Sequence, residues 1–530
     1  MIETEVKLLA DHVALAQIQQ SPLFARTGSA RDSAARTRKL ETRYYDTADR
    51  TLQRHGLSLR IRKAGETYCQ TLKYSGNNGA FGRHEWENRV AGFSLELDRI
   101  SAAELTGTPC EILKSVTPET LAPIFATKVT RQSIPLKLPE AEIEVAFDEG
   151  VIEAGAQRTP ISEIELELKG GDGSTLYDLA TRVLEAAPVS LGTASKAQRG
   201  YALAFGTPPA TLKARPSRLG KGDSVDDAIA LMLDDCLVQV LANYAAAQDP
   251  RLTEGVHQMR VGLRRLRAML GLLAKEIPAA SFRTFDIEAE ALADALGPAR
   301  SHDALRESIE AETTATKTAT AETMTAETDR QALCETIGLS RNKVHAKLRK
   351  ALKSPVHARI LLSLAGWVTR RGWRNELPAA GLEFLSEPAE ELAARALDRL
   401  ERKACKRGAH FSRLSPRGRH RLRIALKKLR YAATFFAPLY GLEDDDAAGE
   451  QGKSAKRYLS RIARLLDRLG EDHDAATSPA LLDAMGRRAH SMAAQRAIDA
   501  TLARQARGHP KLMKQMRRRR RDWKAAPVFW

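Results

Sequence analysis

Charged residues alternate along the first stretch of the chain, where Glu3, Glu5 and Lys7 occupy every second position. A β-strand would place all three on one face, because successive side chains of a strand point to opposite sides. Two carboxylates beside an ammonium group suit chemistry on a metal-bound phosphate, since hard cations prefer oxygen ligands and phosphate oxygens pair with basic groups. The alternative is a strand face that simply contacts water.

The same alternation recurs in other segments, and the sign of the charge is separated between them. Arg60 and Arg62 alternate with apolar residues, whereas residues 142–148 and 163–169 carry acids at alternate positions. An antiparallel sheet could expose each charged face to water. A closed sheet would instead gather acids and arginines in one lumen, where the acids could hold Mg²⁺ or Mn²⁺ and the arginines could bind phosphate oxygens. The separation of sign favours the closed sheet.

An ordered series of motifs resembles the CYTH superfamily, also called triphosphate tunnel metalloenzymes. The series begins with ETEVK, which matches the ExExK signature of the family. It continues with YYDT, LRIR, TLK, HEWE, EVAFDEG, EIELEL and SKAQRGY, and spans residues 1–205 in family order. The resemblance implies an α+β domain built on an eight-stranded antiparallel β tunnel with helices. The charged lumen of that tunnel would bind a triphosphate and a divalent metal.

The resemblance also implies roles for individual residues. Five acids would hold the metal: Glu3, Glu5, Asp148, Glu163 and Glu165. Glu167 shares the face of Glu163 and Glu165, and which two of these three contact the metal stays open. Seven basic residues would bind the triphosphate: Lys7, Arg60, Arg62, Lys73, Arg131, Lys196 and Arg199. Catalysis would fall to Glu5, Lys7 and Glu165, because a carboxylate could orient or deprotonate the attacking water. Arg43 and Glu85 are further candidates for the lumen.

The second part of the chain differs in charge and in periodicity. Residues 1–206 contain 25 Lys and Arg against 27 Asp and Glu, whereas the remainder contains 58 against 39. Residues 207–223 are rich in Pro, Gly and Ser, which is typical of a linker. We therefore predict a tunnel domain over 1–206, a linker over 207–223 and an all-α domain over 224–526. The basic excess of the last region favours a polyanionic partner.

Two segments of the helical region are copies of one pattern. HQMRVGLRRLR begins at His257 and HRLRIALKKLR begins at His420, each with basic residues at offsets +3, +7, +8 and +10. On a helix, offsets 0, +3, +7 and +10 fall within an arc of about 80° and form a basic stripe. A solvated helix face is the alternative. The candidates for polyanion binding are His257, Arg260, Arg264, Arg265, Arg267, His420, Arg423, Lys427, Lys428 and Arg430.

The duplicated pattern resembles the CHAD family, which is all-α with two pseudo-symmetric four-helix bundles and binds inorganic polyphosphate. LGPARSHD follows the first copy and LGEDHD the second, and Ser301 stands where the family commonly has an Asp. A histidine metal site remains an alternative for the two copies. The basic tract MRRRRRDWK from Met516 is either a solvated tail or a polyanion contact. The Thr-, Ala- and Glu-rich residues 310–329 are either a polar helix extension or a mobile insertion.

The function that these observations favour is metal-dependent hydrolysis of inorganic triphosphate, with polyphosphate binding by the helical domain. The alternatives are a polyphosphate-binding protein with weak or no catalysis, a class IV adenylyl cyclase and a thiamine triphosphatase. Nucleic acid is disfavoured because the basic stripes lack interleaved aromatic residues. The five cysteines are dispersed, and the apolar run ILLSLAGWV from Ile360 is too short to span a bilayer. We therefore expect a cytoplasmic location without membrane attachment, compatible with polyphosphate granules.

Overall fold

The structure is a computed structural model that describes residues 2–24, 36–74, 81–100, 107–215, 217–314, 321–442, 449–486 and 492–530. It divides into two compact units. The first unit comprises Met1–Leu212, Leu237–Gly255 and Lys350–Gly372, and the second comprises Lys213–Cys236, Val256–Arg349 and Trp373–Trp530.

Nine strands in the described residues form one sheet in the first unit. They are β1 (Ile2–Leu9), β2 (Arg36–Asp46), β3 (Leu57–Ala64), β4 (Thr67–Tyr74), β5 (Gly82–Val90), β6 (Ala122–Lys137), β7 (Ala141–Ala154), β8 (Gln157–Gly171) and β9 (Ser190–Gly192).

Sixteen α-helices are described. They are α1 (His12–Gln19), α2 (Thr51–Arg54), α3 (Thr108–Lys114), α4 (Gly173–Ala186), α5 (Lys196–Phe205), α6 (Val225–Ala242), α7 (Tyr244–Gln248), α8 (Thr253–Glu276), α9 (Ser281–Thr314), α10 (Ala321–Leu352), α11 (Pro355–Thr369), α12 (Ala379–Ser386), α13 (Ala389–Arg407), α14 (Pro416–Phe436), α15 (Glu450–Gly486) and α16 (Met492–Lys524).

The sheet is antiparallel and closes on itself. Its strand order is β5-β4-β3-β2-β6-β7-β8-β1, and β1 also pairs with β5. In the β1–β8 register, Lys7 lies opposite Glu165 and Glu5 lies opposite Glu167. The short β9 pairs only with the last residues of β1. The predicted eight-stranded antiparallel tunnel is confirmed, with β9 as an added edge strand.

The alternation of charged and apolar residues separates the inside of the sheet from the outside. On β3, Leu57, Leu59 and Ile61 are buried in an apolar cluster, whereas Arg60 and Arg62 line the enclosed cavity. The apolar residues of β7 and β8 are likewise buried: Ile143, Val145, Phe147, Ile164 and Leu166. Because a strand alternates its side chains, one face can pack beneath helices while the other faces the lumen.

The apolar run from Ile360 forms most of α11, which belongs to the first unit and packs against α4. A Cβ at Gly366 would lie 3.3 Å from the Cβ of Tyr177, so the two helices approach closely. Arg370 Nη1 also lies 3.3 Å from Asp178 Oδ2. Residues 350–372 thus pack with the tunnel although they fall within the predicted helical domain. The predicted domain boundaries themselves stay a prediction.

The second unit is helical, and its duplicated segments lie on α8 and α14. Equivalent apolar positions of the two copies are fully buried: Met259, Leu263 and Leu266 on α8, and Leu422, Leu426 and Leu429 on α14. Their recurrence every three or four residues gives each helix one apolar face for packing. The predicted all-α character of this region is confirmed.

Other expectations concern composition. All five cysteines are free thiols. Among the described residues, no helix has the length and apolar character needed to cross a membrane. Residues 315–320 of the segment 310–329 lie outside the described residues, and helices α9 and α10 flank them.

Candidate functional site: a charged tunnel and a basic helical cluster

The closed sheet encloses a cavity with about 950 Å³ of empty space, including its openings to solvent. Nine of the twelve predicted tunnel residues line it: Glu3, Glu5, Lys7, Arg60, Arg62, Lys73, Arg131, Glu165 and Lys196. Of the other three, Asp148 and Glu163 pair with the lining residues Arg131 and Lys196, and Arg199 pairs with Glu163. The structure therefore gathers acids from four strands, β1, β5, β7 and β8, and cations from several elements around one space.

Three carboxylates form an acidic cluster at one place in this wall. Ligand oxygens of Asp148, Glu163 and Glu165 all lie within 4.8 Å of one another. Asp148 and Glu163 face each other across the β7–β8 register and are fully buried. An all-oxygen donor set of this size fits a hard divalent cation such as Mg²⁺ or Mn²⁺. Within the described part of the chain, this is the cluster that meets that description.

Lysine and arginine side chains neutralise the acidic cluster. Lys196 Nζ lies 2.5 Å from Glu163 Oε1 and 2.7 Å from both Glu165 Oε1 and Asp148 Oδ2. Arg131 binds Asp148 through two bonds of 2.7 and 2.6 Å. Burial would raise the pKa of Glu165, but Lys196, Lys7 and Arg131 hold that pKa well below its usual range. Its carboxylate is therefore ionised at neutral pH and able to act as a ligand.

Lys7 lies among three of the acids. Its Nζ is 2.7 Å from Glu165 Oε1, 3.1 Å from Glu5 Oε1 and 3.4 Å from Glu163 Oε1. Burial lowers the pKa of Lys7, but the neighbouring carboxylates, Glu165 first, outweigh it and raise the pKa. The ammonium group therefore stays charged inside the tunnel.

Glu3 belongs to a different part of the wall. Its Oε2 is 2.5 Å from Lys73 Nζ, which also lies 3.2 Å from Glu85 Oε1. In the ion pairs of the described residues, Glu5 is linked to the acidic cluster through the shared Lys7. The structure thus does not join Glu3 and Glu5 to the three-carboxylate cluster, and their role as metal ligands stays a prediction.

Arg60 and Arg62 each have one hydrogen-bond donor, the Nε–H group, that no protein group accepts in the described structure. The Nε atoms of both residues are buried. The pKa of Arg62 is lowered by the adjacent Arg60 charge, then by burial. Two like charges held together with free donors suit an anionic group, because the guanidinium fork matches phosphate oxygens.

Several residues that line the cavity were not assigned to it from the sequence, or were named only as candidates. Tyr44 lines the cavity and interacts with Arg60; burial raises its pKa, but the charges of Arg60 and Arg62 lower it overall. Arg83, Glu85 and Glu87 also line the cavity. Their alternate spacing on β5 was the signal that could have identified them.

Arg43, considered for the lumen, does not line it. Its guanidinium carbon lies 3.8 Å from the centre of the Phe93 ring, and it pairs with Glu41. Arg43 precedes the lining residue Tyr44 on β2, so its side chain takes the opposite face of the strand.

Helix α5 carries Lys196 and Arg199 to the tunnel. A reciprocal capping box starts the helix, in which Ser195 and Gln198 each accept a bond from the other's backbone N–H. Gly200 allows α5 to pack closely against Phe125 of β6, since a Cβ at this position would lie 2.0 Å from the Phe125 ring. Ion pairs with Glu163 then hold both basic groups, at 2.5 Å for Lys196 and 2.6 Å for Arg199.

In the second unit, α8 and α14 bring their basic stripes together. Burial lowers the pKa of Lys427, and the positive charges of Arg264, Arg423 and Arg260 lower it further, to about 7. The Nε atoms of Arg264 and Arg423 are buried without a hydrogen-bond partner in the described structure. One cluster thus combines four basic residues from both sequence copies.

The glycine that follows each copy accommodates a basic side chain. A Cβ at Gly297 would lie 3.0 Å from Arg260 Nη1, and one at Gly470 would lie 3.9 Å from Arg423 Nη2. These glycines belong to the LGPARSHD and LGEDHD segments, so the two halves use equivalent contacts. Beside Arg423, His420 Nδ1 lies 3.1 Å from His473 Nδ1.

Two other predicted stripe residues, Arg265 and Arg267, have partners outside this cluster. Arg265 is 3% exposed and lies over the Phe435 ring at 4.5 Å. Arg267 pairs with Asp286 at 2.9 Å and with Glu290 at 2.8 Å. His257 is half-buried, whereas Lys428 and Arg430 are exposed. The structure therefore joins Arg260, Arg264, Arg423 and Lys427, with His420 beside them.

Comparison with known proteins agrees with these two regions. The model of the CYTH domain matches residues 1–201, and the model of the CHAD domain matches residues 231–483. An inorganic triphosphatase from Haemophilus influenzae is 37% identical over 163 residues, which cover 30% of this chain and 44% of that protein. The match therefore spans less than half of the relative's length.

Solved structures show weaker likeness. The CHAD domain of Ricinus communis is 25% identical with a TM-score of 0.47, over 60% of this chain and 99% of that one. A putative adenylyl cyclase from Hippeastrum, described as having a dominant triphosphatase activity, is 16% identical with a TM-score of 0.27, over 37% and 92%. At such scores neither likeness supports a functional conclusion. The two domain models, matched in order, show that the chain carries a CYTH domain followed by a CHAD domain.

Proposed function

We propose that the tunnel hydrolyses inorganic triphosphate with a divalent cation, Mg²⁺ or Mn²⁺. The observation that carries the proposal is the acidic cluster of Asp148, Glu163 and Glu165 in the wall of the cavity that Arg60 and Arg62 also line. Acids for a cation and guanidinium groups with unpartnered Nε donors for phosphate oxygens meet two requirements of metal-assisted phosphoryl transfer. The related inorganic triphosphatase supports the same substrate class.

The chain's own residues would chiefly position and neutralise the substrate. Arg60, Arg62 and Lys73 would bind phosphate oxygens, and the ammonium of Lys7 would stabilise charge that develops during transfer. A cation held by the acidic cluster, together with Glu3 or Glu5 when substrate displaces their lysine partners, would supply neutralisation of the phosphate charge. Preorganised positioning of this kind accounts for most of the catalysis of phosphoryl transfer.

Of the two candidates for orienting water, Glu5 is the better one. The pKa of Glu165 is lowered by Lys196, Lys7 and Arg131 against the effect of burial, which makes this carboxylate a weak base. Glu5 has one recorded ion pair, to Lys7 at 3.1 Å. Glu165 would then act as a ligand while Glu5 orients or deprotonates the attacking water.

A substrate panel tests the enzymatic proposal. Purified chain is supplied with inorganic triphosphate, thiamine triphosphate or ATP, each with Mg²⁺ or Mn²⁺, and released phosphate is measured. We expect inorganic triphosphate to be the best substrate and chelation to stop the reaction. Cyclic AMP formed from ATP would identify a cyclase instead, and thiamine triphosphate as the best substrate would identify a thiamine triphosphatase. No turnover of any compound would leave the polyphosphate-binding alternative.

The helical domain is proposed to bind inorganic polyphosphate at the cluster of Arg260, Arg264, Arg423 and Lys427. Four basic residues in one place favour a polyanion, and release of counterions would make the binding sensitive to salt. Such binding would locate the enzyme on polyphosphate granules in the cytoplasm.

Labelled polyphosphate and fluorescence anisotropy test this second site. The double substitution R264E with R423E should weaken binding strongly. The matched control is K343E with K347E, which makes the same change in charge at exposed positions of α10. Equal affinity of the two variants would contradict the proposal.

A further inference from the structure

A second basic cleft lies between α15 and α16 in the helical unit. It encloses about 640 Å³ of space, open to solvent, and six residues line it: Arg464, Asp467, Arg468, Gln515, Arg518 and Arg519. Four of the six carry guanidinium groups, and two of these belong to the tract MRRRRRDWK. This cleft has no part in the function proposed above.

The two helices that form the cleft are strongly basic along the stretches that meet there. Residues 453–468 contain six Lys and Arg and one acid, and residues 511–524 contain eight Lys and Arg and one acid. Like charges on adjoining helices repel one another, even in the high dielectric of a protein surface. Bound anions would remove that repulsion.

The basic tract is fixed on the helix and not a loose tail. Met516 and Trp523 are buried, and Trp523 Nε1 lies 3.4 Å from Tyr458 Oη on α15. Arg461 on α15 also donates to the backbone oxygen of Asp522 at 3.2 Å. The buried anchors fix the rotation of α16 against α15, which places Arg518 and Arg519 in the lining of the cleft.

The four guanidinium groups of the cleft differ in their partners. Arg468 bonds to Gln515 Oε1 at 3.3 Å and to Glu471, and Arg519 pairs with Asp522 at 3.4 Å. Arg464 and Arg518 are exposed, and no hydrogen bond or ion pair of theirs is recorded within the described residues. Two oriented arginines and two free ones thus surround one space, an arrangement that suits several phosphate groups in succession.

The cleft is separate from the cluster on α8 and α14. Gly470 of α15 faces Arg423, whereas Arg468, two residues earlier, faces the cleft. Residues two apart on an α-helix point about 200° from each other. The two basic sites therefore use opposite sides of α15.

We propose that the cleft between α15 and α16 is a second binding site for a linear inorganic polyphosphate. The choice of ligand rests on the proposed function of the helical domain, whereas the site itself rests on the cleft. None of the six described lining residues is aromatic, which disfavours single-stranded nucleic acid, because such sites stack bases on aromatic rings. A polyphosphate offers phosphates alone, and arginines suffice to bind it.

Charge reversal in two backgrounds tests the proposal. The cleft variant R464E with R518E is compared with R457E with R517E, which changes the same charge on the same helices at exposed positions outside the cleft. Both pairs are made in the wild-type chain and in the R264E with R423E background. Affinity for labelled polyphosphate is measured by anisotropy, and folding is checked by thermal melting.

In the R264E with R423E background we expect residual binding that the cleft variant weakens by roughly tenfold or more and the control pair leaves nearly unchanged. Loss of all binding in that background, or equal effects of the two pairs, would overturn the second site. If the R264E with R423E variant binds polyphosphate as tightly as the wild-type chain while the cleft variant loses binding, only the proposed α8–α14 site would be contradicted. Displacement of polyphosphate from the cleft by single-stranded DNA at equal phosphate concentration would overturn the ligand assignment.

Discussion

The hydroxyl of Tyr201 donates a hydrogen bond of 2.7 Å to Asp46 Oδ2 and so ties helix α5 to the end of β2. Asp46 is fully buried and also accepts bonds from the backbone N–H groups of Thr47, Leu52 and Gln53 at 2.8–3.0 Å. Burial and the nearby Asp46 raise the pKa of Tyr201, so the phenol remains a donor. Because α5 carries Lys196 and Arg199, this bond helps to place two of the cations that face the acidic cluster.

Removing only that hydroxyl should lower both the stability of the fold and the affinity for substrate. We predict that Tyr201→Phe costs about 1–3 kcal/mol of stability, as expected for a hydrogen bond to a charged group. The KM for inorganic triphosphate should rise several-fold because Lys196 and Arg199 lose their fixed position. Steady-state kinetics and thermal melting check both effects.

Tyr68→Phe is the matched control for Tyr201→Phe. The Tyr68 ring packs against the apolar cluster outside the sheet, and its hydroxyl has no recorded partner in the described residues. An unchanged KM in Tyr201→Phe, or an equal rise in both variants, would show that the Asp46 bond does not position α5.

The fit of α5 against β6 gives a second prediction. In Gly200→Ala, the new methyl group would meet the Phe125 ring at 2.0 Å, so the helix or the ring must shift. Overpacking of this kind typically costs about 1–3 kcal/mol. We expect a lower melting temperature and weaker hydrolysis. Adding Phe125→Leu should make room for the methyl group and restore part of the melting temperature and of the rate of hydrolysis. A double variant with the same melting temperature and rate as Gly200→Ala would contradict the prediction.

Glu163 is the acid whose loss should be most damaging. It is fully buried and pairs with Lys196, Arg199 and Lys7 at 2.5, 2.6 and 3.4 Å. Glu163→Gln should lower kcat by roughly 10- to 100-fold by weakening the proposed cation site. It should also lower stability by about 3–5 kcal/mol, because three cations lose a buried partner.

The control for Glu163→Gln is Glu149→Gln on the same sheet. Glu149 is 43% exposed and contacts only the exposed His12 in the recorded ion pairs. Its replacement should leave kcat unchanged. Extra Mn²⁺ should partly restore the activity of Glu163→Gln if the residue serves the cation, and comparable activity of both variants would exclude that role.

Binding of polyphosphate to the helical domain should depend on pH through Lys427. Burial, then Arg264 and Arg423, lower its pKa from 10.5 to about 7, while Asp474 acts in the opposite direction. A polyanion binds the charged form, so binding should take up a proton and weaken as the pH rises through 7. Burial, then the charge of Arg423, also lowers the pKa values of His420 and His473, and Lys427 acts in the same direction, so these histidines add to the effect at lower pH.

Anisotropy titrations between pH 6 and pH 8.5 measure this dependence, and calorimetry in two buffers measures the proton uptake. Lys427→Met should flatten the profile near pH 7. In the absence of polyanion, the sign for folding is opposite: the unfolded lysine binds its proton up to 10.5, so the contribution of Lys427 to stability should increase above about pH 7. An affinity independent of pH in the wild-type chain would refute the prediction.

Truncating the chain within the predicted linker, which removes the helical region, should destabilise the tunnel. A chain that ends at residue 212 lacks α11, whose buried residues pack against α4 in the first unit. Exposed apolar surface costs about 25 cal/mol per Å², so we expect a lower melting temperature and a tendency to aggregate. A fragment 1–212 that melts at the temperature of the intact tunnel would contradict this.

The sequence alone determined which residues share a face. Alternation at Glu3, Glu5 and Lys7, or at Arg60 and Arg62, depends only on local strand geometry, and the duplicated stripe depends only on helical period. Those patterns therefore predicted the charged lumen and the basic faces of α8 and α14. The motif series added the tunnel topology through its likeness to a known family.

Only the tertiary structure decided which of these residues meet. Lys196 joins Asp148 from 48 positions away, and Tyr201 joins Asp46 from 155 positions away. Arg265 turned into the core, and residues 350–372 packed with the tunnel. Such contacts follow from sheet closure, strand register and the packing of helices, which are set by many distant residues at once. The local periodicity of the sequence determines the face on which a side chain lies. Which residue it contacts depends on the tertiary fold of the whole chain.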